Sequence, residues 1–238
     1  MTQLRAYTHR ARLVMYLSAA PFLLLTLGAL PASADTFNFT SCHISGSTCE
    51  GGSIPAPGFG SVTLTQAGTS VDFTVSLING NRFIETGAGG NELFLFNDAI
   101  AGSTITTIAT SPTTPAGGLS GFTNLSPVMA DGTGTFTASV ECTTASDCNG
   151  GSAPTMTSLT FVVTNATVAQ LETPNANGNL FVADILCGAA QTQCGGLTGP
   201  VDVSTPIPEP ATMLLFGTGL VALGARFRRK KSSNLVAA

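Results

Sequence analysis

Short stretches of alternating apolar and polar residues recur through the middle of the chain, and they restrict its fold more than any other feature. The clearest is SVDFTVSLI, in which every second residue from Val71 to Leu77 is apolar. Further examples are SVTLT, NELFLFND, STITTIAT, GTFTASVEC, SLTFVVTNATV and NLFVADILC. Because successive side chains of a strand point to opposite faces, each stretch predicts a half-buried β-strand.

The segments between these stretches have the composition of turns. They include INGNR, ETGAGGN, SPTTPAGGLSG, MADGTG and CNGGSAP, and no helix-length window shows a helical apolar period. About eight to ten short strands separated by such turns predict an all-β fold, an antiparallel β-sandwich. A β-solenoid is the alternative, although no fixed repeat is visible. The stretch VDVSTPIPEPAT is predicted to leave the strand pattern and form a proline-rich linker.

Charge is sharply partitioned along the chain. Basic residues cluster at the two ends, whereas the segment from Asp35 to Thr205 has one arginine, Arg82, no lysine and twelve acidic residues, a net charge of −11. Such a segment repels phosphate backbones and has no cations with which to release counterions. The charge therefore argues against nucleic-acid binding.

The first residues have the pattern of a secretory signal peptide. Three arginines precede an apolar run, Leu13–Leu30, and the small residues Ala32 and Ala34 occupy the positions that a signal peptidase recognises. We predict that residues 1–34 are a signal peptide cleaved before Asp35. An uncleaved membrane anchor is the alternative, and either interpretation exports the domain that follows, residues 35–203.

Six cysteines lie in the exported segment, as three close pairs. Local pairing is the simplest of the fifteen pairings that six cysteines allow, and an oxidising compartment favours disulfides. Structural zinc sites use shorter cysteine spacings with further Cys or His ligands, and His43 is the segment's sole histidine. We therefore predict disulfides and no metal site. The candidate residues are Cys42, Cys49, Cys142, Cys148, Cys187 and Cys194.

Residues 204–238 form a separate C-terminal segment. Ala211–Ala225 is apolar or small throughout, and as a helix it would span roughly 23 Å, less than the ~30 Å hydrocarbon core of a bilayer. The basic sequence RFRRKK follows directly. Because basic flanks stay on the cytoplasmic side, this short transmembrane helix would hold the large segment outside.

The order of elements in this tail resembles a known sorting signal. Pro208, Glu209 and Pro210, then a short apolar helix and a basic terminus, are similar to the PEP-CTERM signal of Gram-negative bacteria, with Ile207 where Val is common. The resemblance implies that the tripeptide is recognised by an exosortase in the inner membrane, with the helix holding the chain there before processing. It also implies a final place at the cell surface or in the extracellular matrix, with links to exopolysaccharide and biofilm.

The exported segment carries no clear catalytic motif. A Ser-His-Asp arrangement would have to use His43, and no G-x-S-x-G is present. A glycoside hydrolase would need two acidic residues, but the segment lacks the Trp and Tyr that usually stack on sugars. The acidic candidates are Asp72, Glu85, Glu92, Asp98 and Glu141. We therefore predict no catalytic residue, no bound cofactor and no enzymatic activity.

Two weaker patterns point to binding. MADGTGTF and SDCNGG offer oxygen ligands for calcium, but they lack the spacing of a calcium loop and are read as ordinary turns. STITTIAT and SVTLT suggest a threonine array of the ice-binding kind, although only two isolated instances occur. The sequence favours a structural or interaction protein over a secreted carbohydrate- or calcium-binding module. Ice binding and glycoside hydrolysis are less favoured.

Overall fold

The computed structural model describes residues 34–85, 91–149 and 155–204. The apolar run of the signal peptide, most of its cleavage site and the sorting signal after Ser204 lie outside these residues. Within the described ranges one α-helical turn, α1, spans Val168–Leu171, and a 3-10 turn spans Ala145–Asp147. The strands are β1 Ala34–Asn38, β2 Ser41–Cys42, β3 Gly52–Ser53, β4 Gly60–Ala67, β5 Ser70–Leu77, β6 Arg82–Phe83, β7 Glu92–Phe96, β8 Thr104–Ser111, β9 Leu119–Phe122, β10 Val128–Ala130, β11 Gly134–Phe136, β12 Ala138–Cys142, β13 Ser158–Thr164, β14 Asn179–Leu186 and β15 Thr198–Ser204.

The strands form two large sheets and one small hairpin. Sheet A has the order β1-β4-β5-β13-β8, and sheet B has the order β3-β2-β15-β14-β7-β12-β9, with β6 also beside β14. Strands β10 and β11 pair with each other. Neighbouring strands pair antiparallel, as between β5 and β13 or β14 and β15. The predicted all-β, antiparallel fold class is therefore confirmed. No helix in the described part of the chain is long and apolar enough to cross a bilayer.

Sheet A follows the predicted alternation closely. In β5 the apolar residues from Val71 to Leu77 are buried, and the polar residues between them are exposed or half-buried. Strand β13 buries Leu159, Phe161 and Val163 in the same way. The register places Phe73 opposite Phe161, so the apolar halves of both strands lie on one face of the sheet.

The two sheets meet through phenylalanine rings. Phe73 stacks on Phe161 within sheet A, with ring centroids 4.5 Å apart and planes 12° from parallel. Across the interface, Phe73 lies 5.2 Å from Phe96 on β7 and 6.0 Å from Phe181 on β14. Phe37 on β1 contacts Phe181 at 5.4 Å. These rings form the centre of an apolar core between the sheets. The apolar area that they bury and the contacts between the rings both stabilise the fold.

The structure departs from the sequence prediction in three places. GTFTASVEC is divided after Phe136 into β11 and β12, which belong to different sheets. The strand predicted through SLTFVVTNATV ends at Thr164, and α1 follows. The predicted linker was wrong at its start, because Val201–Ser204 continues β15, a strand paired with β14 on one side and β2 on the other. Hydrogen bonds from both neighbours stabilise a strand that its Gly and Pro residues disfavour locally.

Candidate functional site

Three disulfide bonds close three short loops of the exported domain. The structure joins Cys42 to Cys49, Cys142 to Cys148 and Cys187 to Cys194, and the described residues include no free cysteine. The first and third loops touch, because the backbone N–H of Thr48 donates to the carbonyl oxygen of Gln193 at 2.9 Å. The first loop carries His43, which makes this end of sheet B the candidate site.

Strand pairing brings His43 beside a buried carboxylate. In the β2–β15 register Ser41 lies opposite Asp202, and the backbone N–H of His43 donates to the carbonyl oxygen of Pro200 at 3.0 Å. The His43 ring nitrogen Nε2 lies 2.9 Å from Asp202 Oδ2 and 3.3 Å from Ser41 Oγ. The pairing of β2 with the distant strand β15 therefore builds a Ser41–His43–Asp202 cluster.

Asp202 is the buried member of this cluster. Its side chain is 1% exposed, against 22% for His43, and its Oδ1 has no hydrogen-bond partner among the described residues. Burial raises the pKa of Asp202, while the hydrogen bond from Ser41 and the charge and hydrogen bond of His43 oppose that rise. His43 therefore stabilises the ionised form of a carboxylate that burial disfavours.

A cleft of about 460 Å³ opens beside His43. Its walls are polar and rich in glycine, and they include two further acidic residues, Glu50 and Asp131. Glu50 is oriented by its own loop, since its Oε2 accepts from the backbone N–H of Gly46 at 2.8 Å. Gly132 keeps the cleft open, because a Cβ there would lie 2.6 Å from His43 Nδ1. The volume falls within the range of small-molecule sites, but the described lining includes no Phe, Tyr or Trp.

The cluster differs from a Ser-His-Asp triad in its connectivity. In a triad the carboxylate holds one ring nitrogen and the nucleophile uses the other. Here Ser41 and Asp202 share Nε2, and Nδ1 faces Gly132 instead. When Nε2–H donates to Asp202, no lone pair remains on that nitrogen to take the Ser41 proton. The geometry holds a buried carboxylate in place and does not activate a serine.

Three of the five acidic candidates come together at another end of sheet B. Glu92 on β7 lies opposite Glu141 on β12, and the Ser139 hydroxyl donates to Glu141. Burial raises the pKa of Glu92, its own backbone hydrogen bond opposes this, and the charges of Glu141 and Glu85 raise the pKa further. Glu92 is buried, with the charges of Glu141 and Glu85 close to its carboxyl group.

The other two acidic candidates are Asp72 on β5 and Asp98, which follows β7. Asp72 lies on the exposed side of β5. Asp98 is fully buried and caps a turn, because its Oδ1 accepts from the backbone N–H of Ile100 at 2.9 Å and its Oδ2 accepts from the Ser103 hydroxyl at 2.6 Å. Asp98 is therefore committed to its turn, and Asp72 is an exposed strand residue opposite Thr65 and Val162.

MADGTGTF, the first of the two segments considered for calcium binding, contains the turn between β10 and β11, whereas the second, SDCNGG, lies partly outside the described residues. The Thr133 hydroxyl and backbone N–H both donate to the carbonyl oxygen of Ala130, and the Thr133 carbonyl accepts from the side-chain amides of Asn175 and Asn179, each at 2.8 Å. These oxygens are therefore already used. In the described residues no three His, Cys, Asp or Glu side chains are grouped so as to hold a metal ion.

Hydroxyl side chains cover the outer face of sheet A. Thr63, Thr74 and Thr160 lie side by side on β4, β5 and β13, and the Thr63 hydroxyl also bonds Thr36 on β1 at 2.9 Å. The regular spacing stops at β8, where the register shifts and Thr107 has a φ of 54°. The next row includes the Asp72 carboxylate, so the array lacks the uninterrupted order that an ice-binding face needs.

Comparison with protein families identifies the C-terminal segment. Residues 206–230 match the PEP-CTERM protein-sorting motif, which includes Pro208, Glu209 and Pro210. A search of curated proteins and a search of solved structures gave no match. The resemblance read from the sequence is thus confirmed for the tail. Such a motif implies exosortase processing and export to a cell-surface or extracellular destination.

Proposed function

We propose that this chain is an exported structural or interaction protein of the cell surface or extracellular matrix, without enzymatic activity of its own. The observation that carries the proposal is the PEP-CTERM motif at residues 206–230, which follows an acidic, disulfide-closed β-domain. In this proposal the chain passes the inner membrane of a Gram-negative cell, loses its signal peptide to signal peptidase and is held by its short C-terminal helix. An exosortase then removes the tail, and the β-sandwich domain joins the exopolysaccharide matrix.

Intact mass spectrometry of the native extracellular protein tests both processing steps. A species that begins at Asp35 and ends between Pro208 and Pro210 is expected. A species that retains Phe227 and the residues after it would show that the tail is not removed and acts only as a membrane anchor. The matched control is a Pro208→Ala, Glu209→Ala, Pro210→Ala chain, which should remain unprocessed in the membrane fraction while its β-domain keeps the same melting temperature.

The absence of catalysis is supported by the arrangement of the candidate groups. His43 uses one nitrogen for both Ser41 and Asp202, Asp98 is buried in its turn, and Glu92 is buried beside Glu141. The test is hydrolysis of extracellular polysaccharides by the purified domain. Activity that disappears in Glu92→Gln or Glu141→Gln, with folding intact, would replace this proposal by a glycoside hydrolase.

The cleft beside His43 supports a second candidate function, a carbohydrate-binding module. Its acidic lining residues, Glu50 and Asp131, suit a saccharide that carries amino groups better than one that carries carboxylates. Binding is expected for glucosamine oligomers and to weaken for their N-acetylated counterparts. Asp131→Asn should reduce the affinity, whereas Asp72→Asn on the outer face of sheet A should leave it unchanged. This cleft would be excluded as the site if Asp131→Asn and Asp72→Asn bound glucosamine oligomers with equal affinity, and if N-acetylation of the sugar did not change that affinity.

A further inference from the structure

A second cleft, of about 340 Å³, lies where three segments of the chain meet. They are the segment between β3 and β4, the turn after β5 and the loop closed by the third disulfide. The volume is within the range of small-molecule sites. Asn79, Gln191 and Gln193 line it with side-chain amides, and Pro55 and Pro57 add two proline rings. None of its described lining residues is charged, and we call it the amide cleft.

The three amides of this cleft form a relay in which both hydrogen bonds run in the same direction. The side-chain N–H of Asn79 donates to Gln191 Oε1 at 2.8 Å, and the side-chain N–H of Gln191 donates to Gln193 Oε1 at 3.1 Å. Gln191 is 3% exposed, so the middle amide is buried and bonded at both ends. Because every amide has one carbonyl oxygen and one NH2 group, the relay ends in the carbonyl oxygen of Asn79 and the NH2 group of Gln193. One acceptor and one donor thus remain for a ligand, on an exposed and a half-buried residue.

Closed backbone turns carry these amides. The backbone N–H of Asn81 donates to the carbonyl oxygen of Ile78 at 2.9 Å and closes the turn that contains Asn79, whose φ of 58° suits asparagine better than most residues. The backbone N–H of Gln191 donates to the carbonyl oxygen of Gly188 at 3.0 Å inside the third disulfide loop. A ligand would therefore meet groups that are already in place, which lowers the entropic cost of ordering them on binding.

The chemistry of the amide cleft suits an uncharged sugar. A sugar hydroxyl both donates and accepts, so the hydroxyls of one saccharide can bond the acceptor at Asn79 and the donor at Gln193. The C–H groups of a sugar ring are apolar, and the rings of Pro55 and Pro57 offer apolar surface for them. An anionic sugar is disfavoured, because the segment from Asp35 to Thr205 has a net charge of −11. A cationic sugar is better matched by the carboxylates of the other cleft.

We propose that the amide cleft binds a neutral saccharide through the side chains of Asn79 and Gln193, and that Gln191, which bonds both, holds their amides in position. The inference goes beyond the function proposed above, because it assigns a ligand class to a cleft that export and processing do not involve. It is also separate from the amino-sugar binding considered for the cleft beside His43, whose described lining shares no residue with this one.

The test is an NMR titration of the full chain in lauryldimethylamine oxide, a detergent without a sugar group. The neutral ligands are cellohexaose, maltohexaose and mannohexaose. A hexamer of galacturonic acid is the anionic comparison, and an uncharged hexapeptide of Gly and Ser is the peptide comparison. The side-chain NH2 signals of Asn79 and Gln193 report on the cleft, and they are assigned by their loss in Asn79→Asp and Gln193→Glu.

At least one neutral hexamer is expected to shift both signals until they saturate, while the galacturonate hexamer and the peptide leave them unchanged. Gln193→Glu should weaken the binding of that hexamer about tenfold, because it removes the donor but keeps an oxygen that accepts from Gln191. Gln170→Glu is the matched control, since it introduces the same charge and its carboxylate can still accept from the backbone N–H of Thr167. Its affinity should equal that of the wild type.

The positioning role of Gln191 has its own readout. Gln191→Met keeps a side chain of similar length and removes both hydrogen bonds of the relay. The NH2 signals of Asn79 and Gln193 should then move in the absence of sugar, and the affinity for the hexamer should fall about tenfold. An unchanged affinity in Gln191→Met would contradict this role.

Failure of all three neutral hexamers to shift the two signals would overturn the proposal, and so would an affinity that is unchanged in Gln193→Glu. Binding of the peptide in place of the hexamers would also overturn it, because the cleft would then belong to a protein partner. The wild-type titration decides the first point by itself, even when a variant fails to fold. These results do not depend on the sorting signal, since a chain that is never processed still contains the cleft.

Discussion

The side-chain oxygen of Asn81 accepts a hydrogen bond from the backbone N–H of Gly188, with 2.9 Å between the two heavy atoms. The amide nitrogen of the same side chain donates to the carbonyl oxygen of Phe59 at 3.1 Å. Asn81 is fully buried, so one side chain joins the start of β4, the turn before β6 and the third disulfide loop. At Gly188 the backbones approach closely, because an added Cβ would lie 2.3 Å from the carbonyl oxygen of Asn79.

We predict that Asn81→Ala lowers the free energy of unfolding by about 1 to 3 kcal/mol, because it leaves the buried backbone N–H of Gly188 without an acceptor. The Phe59 carbonyl keeps its hydrogen bond from the backbone N–H of Ile78. The measurement is equilibrium denaturation in urea. Asn97→Ala is the matched control, since Asn97 makes one hydrogen bond at the surface, to the carbonyl oxygen of Thr173. A loss no larger in Asn81→Ala than in this control would show that the buried amide does not join the three segments.

Phe73 contacts four other rings of the aromatic cluster across both sheets, as many as Phe94 does. It meets Phe161, Phe94, Phe96 and Phe181 within 6.3 Å. Phe73→Ala is expected to lower the free energy of unfolding by about 3 to 5 kcal/mol, because it removes buried area and leaves a cavity between the sheets. Phe122→Ala, at a ring that is 42% exposed, should cost under about 1 kcal/mol. Similar losses at both positions would contradict a core centred on Phe73.

The alternating strands were readable from sequence because their signal is local. In β5, and in β13 except at Val162, each apolar residue faces the core and each polar residue faces outward, so a window of eight residues contains the pattern. Strand β15 was missed for the opposite reason. Its Gly199 and Pro200 are typical of a turn, and its burial comes from β2 and β14, which pair with it from distant parts of the chain.

The candidate site shows the same limit. His43 was visible as the sole imidazole of the exported segment, but Asp202 lies 159 residues away in the sequence. Nothing near either residue indicates that β2 and β15 are neighbours, so neither the buried pair nor the cleft could be predicted. The short disulfide loops and the sorting motif are local in sequence, and both were predicted.

The third disulfide is expected to stabilise the loop that Asn81 also holds. Replacing Cys187 and Cys194 together by Ser should lower the free energy of unfolding by about 2 to 3 kcal/mol. The reason is that the unfolded chain without this disulfide gains the conformational entropy that the closed loop had removed. Urea denaturation of the double variant measures the loss. In the native protein, an alkylating reagent should label none of the six cysteines before reduction, and labelling of Cys187 in the folded state would contradict the pairing.

The pairing of His43 with Asp202 predicts a pH-dependent stability. The pKa of Asp202 is raised by burial and held down in part by His43, so His43→Gln should raise it further. When folding raises the pKa of a carboxyl group, the group stabilises the fold at pH values below its pKa in the unfolded chain. This stabilisation is lost as the pH rises through its pKa in the folded protein. We therefore expect His43→Gln to lower the free energy of unfolding by about 2 to 4 kcal/mol at neutral pH, and by much less near pH 4. In an Asp202→Asn background the same change should show no such pH dependence, because no buried carboxylate remains.

The measurement is chemical denaturation at both pH values of the wild type, His43→Gln, Asp202→Asn and the double variant. If the loss of stability in His43→Gln did not depend on pH, the His43 ring would contribute packing against Asp202 and no interaction with its charge.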